Sequence, residues 1–366
     1  MASTARSPEA AAAAPQKAPR QKDANHKDAK HKIINLALQG GGSHGAFTWG
    51  VLDLLLEDER VDFEGVSATS AGAMNATMLA YGHILGGNEG ARQALEQFWR
   101  KISDSAKLSP LQPSWLDRSM HNFGLDYSPI FVAADMMTRI FSPYELNPMN
   151  INPLKDVLEA CVDFERLRTE DSAIKIFLSA TNVRTGKVKV FEKHELCAEA
   201  VLASACLPFM FQAVELEGEY YWDGGYMGNP AIFPVIYNCH SRDVVIVHIN
   251  PLERPDVPKT AKEIMNRINE ISFNSSLMRE MRAIIFVGAL IESGQLSGRN
   301  MKHMLMHSIS ADEVMIGLGV NSKMNADWEF LQHLRDTGRA HAEAWLEANY
   351  QHLGIRSSVD IRKQYL

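Results

Sequence analysis

The chain has few of the features that mark secreted, metal-binding or membrane-spanning proteins. Its four cysteines lie far apart and form no CxxC pair, which argues against a zinc site and a disulfide framework and fits a reducing compartment. No apolar run approaches the roughly eighteen residues that a membrane-spanning helix needs. No cluster of metal-ligating residues has suitable spacing. We therefore expect no transmembrane segment, no metal and no cofactor.

Residues 1–31 lack large apolar side chains almost completely. Basic residues outnumber acidic ones there, although the whole chain has 37 basic against 44 acidic residues and a net charge of −7. Such a segment cannot bury enough surface to offset the entropy of ordering, so we predict a disordered, solubilising tail. The alanine run at 10–14 is too short and too weakly apolar for a signal-peptide core. We expect a cytoplasmic protein with no nucleic-acid partner, and the sequence leaves export and homo-oligomer formation open.

The stretch at residues 66–75 organises the rest of the chain. An apolar run ends at Ser70, which has small neighbours at Ala68 and Gly72, and a helix-forming run begins at once. This pattern predicts a nucleophile elbow, a sharp strand-to-helix turn that exposes one serine. An ordinary N-cap serine at a strand-to-helix junction has the same appearance.

Two further stretches favour the elbow. Residues 33–38 predict a buried strand that runs into a glycine-rich loop at 39–45, where backbone N–H groups can converge on an anion. Much later, an aromatic strand at 220–222 ends at Asp223, which two glycines follow. The chain therefore presents an anion cradle, a nucleophile and a carboxylate, in that order.

These three motifs together resemble those of the patatin-like phospholipases, which read GGGxxG, GxSxG and DGG or DGA. The resemblance covers roughly residues 33–250. It implies a three-layer α/β/α fold with a mainly parallel central sheet, and a lipid acyl hydrolase that meets its ester substrate at a membrane or lipid surface. It also implies the site residues: Ser70 as nucleophile; Asp223 as the base of a Ser-Asp dyad; Gly40, Gly41 and Gly42 as the oxyanion loop; and Gly45, Gly72, Gly224 and Gly225 as motif glycines.

The chain departs from the family pattern at two positions. Ala68 stands where the family has the first elbow glycine, and His44 stands where the glycine loop often has arginine or lysine. A histidine that is neutral at pH 7 provides no fixed positive charge beside the oxyanion.

The order of predicted elements divides the chain. Two strands, each followed directly by a helix, favour parallel pairing, and ligands bind beyond the carboxyl ends of such strands. We predict a catalytic domain at 32–250 whose last strand is 244–249. Within it, the Pro-, Met- and aromatic-rich stretch 103–153 is either a lid over an acyl-chain pocket or a peripheral helical layer. Within the catalytic domain, helices are predicted at 46–56 and 196–206. Residues 251–366 are predicted to form a helical C-terminal region, with an amphipathic helix at 329–350.

Two alternatives remain. A Ser-Asp-His triad esterase, thioesterase or polyester depolymerase would use His240 or His248, which both follow Asp223. A dinucleotide-binding module would use Gly40, Gly42 and Gly45 as a GxGxxG fingerprint. That fingerprint needs an acidic residue at the end of the second strand, where this chain has Ser70.

Overall fold

The computed structural model describes residues 31–107, 123–125, 128–296 and 301–366. Nearly all of the predicted tail at 1–31 lies outside the described residues, as does part of the predicted insertion at 103–153. The predictions of a disordered tail and of a lid therefore stay predictions. Residues 31–366 form one structural unit.

A central eight-stranded sheet positions the site. The strands are β1 (Lys32–Leu38), β2 (Val61–Ala68), β3 (Lys175–Asn182), β4 (Val188–Glu192), β5 (Val214–Leu216), β6 (Glu219–Asp223), β7 (Asp243–Val247) and β8 (Leu305–Ile309). Strands β1, β2, β3, β7 and β8 are parallel to one another, and β4, β5 and β6 add antiparallel pairs at the β3 side.

Helices cover both faces of the sheet, which gives the mostly parallel α/β/α arrangement that the sequence predicted. The helices are α1 (Gly45–Asp58), α2 (Ala71–Ala106), α3 (Pro129–Thr138), α4 (Pro143–Leu146), α5 (Pro153–Cys161), α6 (Phe164–Thr169), α7 (Ala198–Ser204), α8 (Phe233–Asn238), α9 (Ala261–Glu292), α10 (Asp312–Gly317), α11 (Trp328–Asn349) and α12 (Ile361–Tyr365). Helix α2 has a kink at Gly86 and Gly87, whose backbone angles are not helical.

Alternating side chains of the central strands pack into two separate cores. On β7, Val245 and Val247 pack into the larger core with α1, α2 and α11, whereas Val244 and Ile246 pack into the smaller core with α8, α9 and α12. Buried central strands therefore carry apolar side chains on both faces, as the continuous apolar runs of β1 and β7 indicate.

Strand β3 brings two chain segments together end to end. Its residues 175–178 pair with β2 in parallel, and its residues 180–182 pair with β6 in antiparallel orientation. Because β4 occupies the other side of β3 over 177–181, β2 and β6 must share one side. Ala68 at the end of β2 pairs with Leu178, and Asp223 at the end of β6 pairs with Ala180. The two strands thus point at each other across a short gap.

Two sequence predictions about the fold need correction. The strand predicted at 244–249 ends at Val247, and it is not the last strand of the sheet, because β8 pairs with it in parallel from the C-terminal region. The helix predicted at 196–206 is shorter and spans Ala198–Ser204, since Cys197 caps its start and an irregular turn follows Ala205. The predicted helices at 46–56 and 329–350 are confirmed, with one or two more residues at some ends.

Candidate active site

Ser70 occupies the turn between β2 and α2 in a strained conformation. Its φ of 56° lies in the left-handed region that residues other than glycine seldom adopt, with ψ at −123°. The surroundings hold this conformation: Ser70 N–H donates to Ser204 Oγ at 3.0 Å, and Ser70 C=O accepts from Met74 N–H at 3.1 Å. A rigid turn therefore presents the Ser70 hydroxyl.

The turn requires small residues around it. A Cβ on Gly72 would lie 2.3 Å from the carbonyl oxygen of Leu38, so the start of α2 touches the end of β1. Ala68, which replaces the family's first glycine, is fully buried, and Ser70 still adopts the turn. One methyl group at position 68 is compatible with the elbow.

Asp223 lies at the end of β6, beside Ser70. Its side chain is buried, and Oδ1 accepts from Gly225 N–H at 2.7 Å. Burial raises the pKa of the Asp223 carboxyl to about 6, although hydrogen bonds from Gly225 N–H and the Ser70 hydroxyl, and the charge of Lys323, act in the opposite direction. The carboxylate thus has a pKa close to neutrality and a serine hydroxyl within reach.

The two glycines after Asp223 fit closely into the site. A Cβ on Gly224 would lie 2.1 Å from the Ser179 carbonyl oxygen on β3, and one on Gly225 would lie 2.6 Å from the Phe273 ring on α9. Side chains at these positions would push the carboxylate away from β3 and from Ser70.

The glycine loop after β1 packs directly on Ser70. A Cβ on Gly40 would lie 2.5 Å from Ser70 Cβ, so this position cannot carry a side chain. The Gly40 amide donates to Asn229 Oδ1 at 2.7 Å and its carbonyl accepts from Asn250 Nδ2 at 2.7 Å. Gly40 therefore anchors the loop through both of its backbone groups.

The next two amides of the loop are available to a ligand. Within the described chain, the N–H groups of Gly41 and Gly42 have no hydrogen-bond acceptor. Gly42 has a φ of 59°, and a Cβ there would meet the Lys323 carbonyl oxygen at 2.4 Å. The site therefore combines a serine after the parallel strand β2, a carboxylate at the end of the antiparallel strand β6 and the glycine loop after β1.

Comparison with known proteins identifies this combination. The family model described as patatin-like phospholipase matches residues 36–236, which is more than half of the chain. The chain belongs to the patatin-like phospholipase family. Membership of this family supports a lipid acyl hydrolase.

Solved structures and curated proteins add less. VipD from Legionella pneumophila is similar at 15% identity and a TM-score of 0.40, with 86% of this chain and 67% of that chain covered. A chain from the complex of SpcU with ExoU of Pseudomonas aeruginosa is similar at 14% identity and a TM-score of 0.27, with 91% and 73% covered. No curated protein matches the chain.

A polar network holds this family member's glycine loop in place. Gln39 Oε1 accepts from the amides of Ile249 and Asn250 at 2.9 and 3.0 Å, and its Nε2 donates to Asn274 Oδ1 at 3.1 Å. Asn250 Oδ1 in turn accepts from Lys323 Nζ at 2.7 Å. All three asparagine and glutamine side chains are buried.

Sequence reasoning missed these loop-holding residues. Asn250 comes just after a buried strand at the carboxyl edge of the sheet, and Asn229 lies four residues after the Asp-Gly-Gly turn, so their positions offered a clue. Lys323 lies outside the family match, and no motif marks it.

His44 does not provide a positive charge in the patatin glycine loop. Its ring is buried, and Nε2 lies 2.7 Å from Ser322 Oγ, which itself donates to the Gly319 carbonyl oxygen at 2.5 Å. Nε2 must therefore carry the proton and donate. Burial, and then the charge of Lys323, hold the pKa of His44 well below its usual range. His44 is a neutral side chain that ties the loop to residues 319–322.

The two histidines of the triad alternative lie elsewhere. His240 is 93% exposed and bonds Glu64 at the amino end of β7, away from Ser70. His248 follows β7, but its Nε2 bonds the Tyr365 hydroxyl at 2.7 Å, and burial lowers its pKa to about 4. Among the described residues, neither ring contacts Ser70 or Asp223.

The dinucleotide alternative fails because the chain belongs to another family. The third fingerprint glycine, Gly45, packs against Ala71 and Trp99, where a Cβ would lie 2.7 Å from Ala71 Cβ. Over the described ranges, no three His, Cys, Asp or Glu side chains cluster as metal ligands. None of the described helices is long and apolar enough to cross a membrane.

Proposed function

We propose that this protein hydrolyses carboxylic esters of lipids through a Ser70–Asp223 dyad. The observation that carries the proposal is the meeting of these two side chains where β2 and β6 end beside β3. The family match, which covers both residues, supports the same activity.

The first half of the reaction forms an acyl-enzyme. The Asp223 carboxylate takes the proton from Ser70 Oγ, and Oγ attacks the ester carbonyl carbon. The amides of Gly41 and Gly42 bind the resulting oxyanion. The protonated Asp223 then gives its proton to the leaving alcohol as the C–O bond breaks, and the acyl group stays on Ser70.

Water completes the cycle. Asp223, again ionised, removes a proton from water as the water oxygen attacks the acyl-enzyme carbonyl carbon. Asp223 then returns this proton to Ser70 Oγ as the Oγ–C bond breaks, which releases a fatty acid and free Ser70. A base is most effective when its pKa lies near the working pH. The raised pKa of Asp223, about 6, leaves it mostly ionised at pH 7 yet more basic than an ordinary carboxylate.

Labelling with a fluorophosphonate probe tests the nucleophile. The wild type should react and Ser70→Ala should not, because Ser70 is the one serine of the described residues that combines the elbow turn with a base. Ser358→Ala is the matched control, since Ser358 Oγ bonds a histidine, His307, at 3.0 Å. Equal labelling of the wild type and Ser70→Ala would exclude the dyad, and loss of labelling in Ser358→Ala alone would move the nucleophile there.

An apolar surface beside the site indicates how lipid reaches it. We define the apolar segment as residues 129–151. Its exposed large side chains are Ile130, Val132, Met136, Met137, Ile140, Phe141, Tyr144, Leu146, Met149 and Ile151. So many exposed apolar groups in one stretch mark an interaction surface.

Hydrogen bonds connect the apolar segment to the Asp223 side of the site. Gln212 Nε2 donates to the Asn147 carbonyl oxygen at 2.7 Å, and the next residue along, Ala213, donates its amide to the Tyr144 hydroxyl at 3.3 Å. A few residues earlier, the Cys206 carbonyl oxygen accepts from the Asp223 amide at 2.8 Å. We propose that the segment contacts the lipid surface from which the substrate is drawn.

Vesicle assays test this contact. Ile140 and Met149 are 68% and 81% exposed, so Ile140→Glu with Met149→Glu removes little internal packing. We expect hydrolysis of anionic phospholipid vesicles to fall about tenfold or more, because each charge opposes insertion, while a soluble p-nitrophenyl ester is hydrolysed as before. Ile355→Glu, at a site 70% exposed, is the control. Unchanged vesicle hydrolysis in the double variant would exclude the lipid contact.

A further inference from the structure

Lys323 lies against the glycine loop from outside the family-matched region. It belongs to the short turn Val320–Met324, between α10 and α11. Its backbone fills the space beside Gly42, where a Cβ would come within 2.4 Å of the Lys323 carbonyl oxygen and 3.3 Å of its Cβ. The lysine is therefore fixed to the loop that carries the Gly41 and Gly42 amides.

The Lys323 ammonium group reaches the loop through one side chain. Nζ donates to Asn250 Oδ1 at 2.7 Å, and Asn250 Nδ2 donates to the Gly40 carbonyl oxygen at 2.7 Å. Asn250 thus connects the Lys323 ammonium group to Gly40, which packs on Ser70. A displaced ammonium group would disturb Asn250, and through it the loop.

The titratable groups that face Lys323 carry two negative charges and one positive charge when Asp223 is ionised. They are Glu270 on α9, Arg254 after β7, Asp223 at the end of β6 and neutral His44 on the loop. Burial lowers the pKa of Lys323 to about 8, with Glu270 and Asp223 raising it and Arg254 lowering it.

Glu270, the other carboxylate that faces Lys323, is already paired with arginines. Glu270 is buried, bonds Arg254 at 2.7 Å and pairs with Arg267 at 3.2 Å. Two arginines thus offset one glutamate, and Lys323 faces the ionised Asp223. A partly buried cation strongly stabilises negative charge nearby. This charge is on Asp223 before proton transfer and on the oxyanion afterwards.

We propose that Lys323 is a positioning residue that supplies the fixed positive charge of the oxyanion site, which His44 cannot supply because it is neutral. It acts by holding Asn250 and the glycine loop and by its field on Asp223 and the oxyanion. The inference rests on the proposed Ser70–Asp223 hydrolase function.

Kinetics of three variants on a soluble p-nitrophenyl ester between pH 5 and 9 test the proposal. Lys323→Met should lower kcat about ten- to a hundredfold at pH 7, with KM little changed. Removal of the charge should also raise the pKa of Asp223, so the acid limb of the kcat/KM profile moves to higher pH. The alkaline limb near pH 8, which reflects loss of the Lys323 proton, should disappear.

Lys323→Arg and Lys302→Met complete the set. Arginine keeps the charge above pH 9, so Lys323→Arg should retain most of kcat and also lose the alkaline limb. Lys302, whose Nζ bonds the Ile236 carbonyl oxygen at 2.8 Å, lies near the amino end of β7, and Lys302→Met should leave both limbs in place. Thermal unfolding controls for the fold of each variant.

Three outcomes would overturn the role of Lys323. The first is that folded Lys323→Met keeps the kcat and the acid limb of the wild type. The second is that the alkaline limb of Lys323→Arg stays near pH 8. The third is that the limbs of the Lys302→Met profile move in the same way as those of Lys323→Met. If Lys323→Met does not fold, Lys323→Arg still decides the question. Failure of the hydrolase function itself is distinct, since Ser70→Ala would then remain as active as the wild type.

Discussion

The two edges of the central sheet offer an instructive contrast. At the carboxyl edge, Ser70 and Asp223 meet, and neither His240 nor His248 contacts them. At the amino edge, Asp243 begins β7, and its Oδ1 lies 2.9 Å from His307 Nε2, while His307 Nδ1 lies 3.0 Å from Ser358 Oγ. By composition alone, the second group looks more like a hydrolase triad than the first.

The backbone around each serine separates the two edges. Ser70 sits at a strained turn beside amides that have no acceptor in the described chain. Ser358 lies on the C-terminal segment, where its amide donates to the Met306 carbonyl oxygen of β8 at 3.1 Å. Asp243 Oδ1 also accepts from the Gly354 amide at 2.8 Å. The hydrogen bonds of the amino edge fasten the C-terminal segment to the sheet, so a reactive site depends on backbone placement as well as residue type.

Asp223→Asn gives the largest expected effect and tests the carboxyl edge. We expect kcat on a soluble ester to fall about 10²- to 10⁴-fold, because the amide cannot accept the Ser70 proton. Activity within a fewfold of the wild type would show that another group is the base.

The same variant should be more stable at pH 8 than the wild type. The folded pKa of Asp223, about 6, lies above its unfolded value, so wild-type stability falls as pH rises through this window. The asparagine variant lacks that loss, so its unfolding midpoint relative to the wild type should rise between about pH 4 and 7 and then level off. A pH-independent difference would argue against a buried, ionised Asp223 in the wild type.

His307→Ala tests the amino edge and should act on stability alone. The side chain is fully buried, and its removal leaves a cavity and takes away the His307 hydrogen bond of the buried Asp243 carboxyl, which keeps only the Gly354 amide. We expect a loss of about 2–4 kcal/mol in the free energy of unfolding, with kcat unchanged for the molecules that stay folded. A collapse of kcat without unfolding would mean that the amino edge takes part in catalysis.

Ser358→Ala is the smallest change and sharpens the contrast. One hydrogen bond on a half-buried serine is lost, so the free energy of unfolding should fall by about 0.5–1.5 kcal/mol. Ester hydrolysis should match the wild type. The comparison of Ser358→Ala with Ser70→Ala, in denaturation and turnover assays alike, separates a structural serine from a proposed nucleophile.

Local patterns predicted the parts of the molecule that depend on neighbouring residues. The elbow at Ser70, the glycine loop and the Asp-Gly-Gly turn each lie within a few consecutive residues, and the strands around them are strongly apolar. Helix α1 and the helix near the C-terminus followed from their spacing of apolar residues.

Contacts between distant segments of the chain could not be predicted from the sequence, for physical reasons. Strand β8 has the sequence Leu-Met-His-Ser-Ile, whose polar His307 hides its burial, and it pairs with a strand some sixty residues earlier. Lys323 reaches the site only because the turn that carries it packs on Gly42. Its role depends on a contact between segments almost 300 residues apart, which no spacing rule encodes.

Strand β3 sets the distance between Ser70 and Asp223. Ser70 and Asp223 come from strands that approach from opposite directions, and only their pairing with β3 at Leu178 and Ala180 sets the gap between them. A slip of one residue between β6 and β3 would turn the Asp223 side chain to the other face of the sheet. The proposed dyad therefore cannot form until this pairing is complete, so ester hydrolysis would report the docking of β6 on β3 during folding.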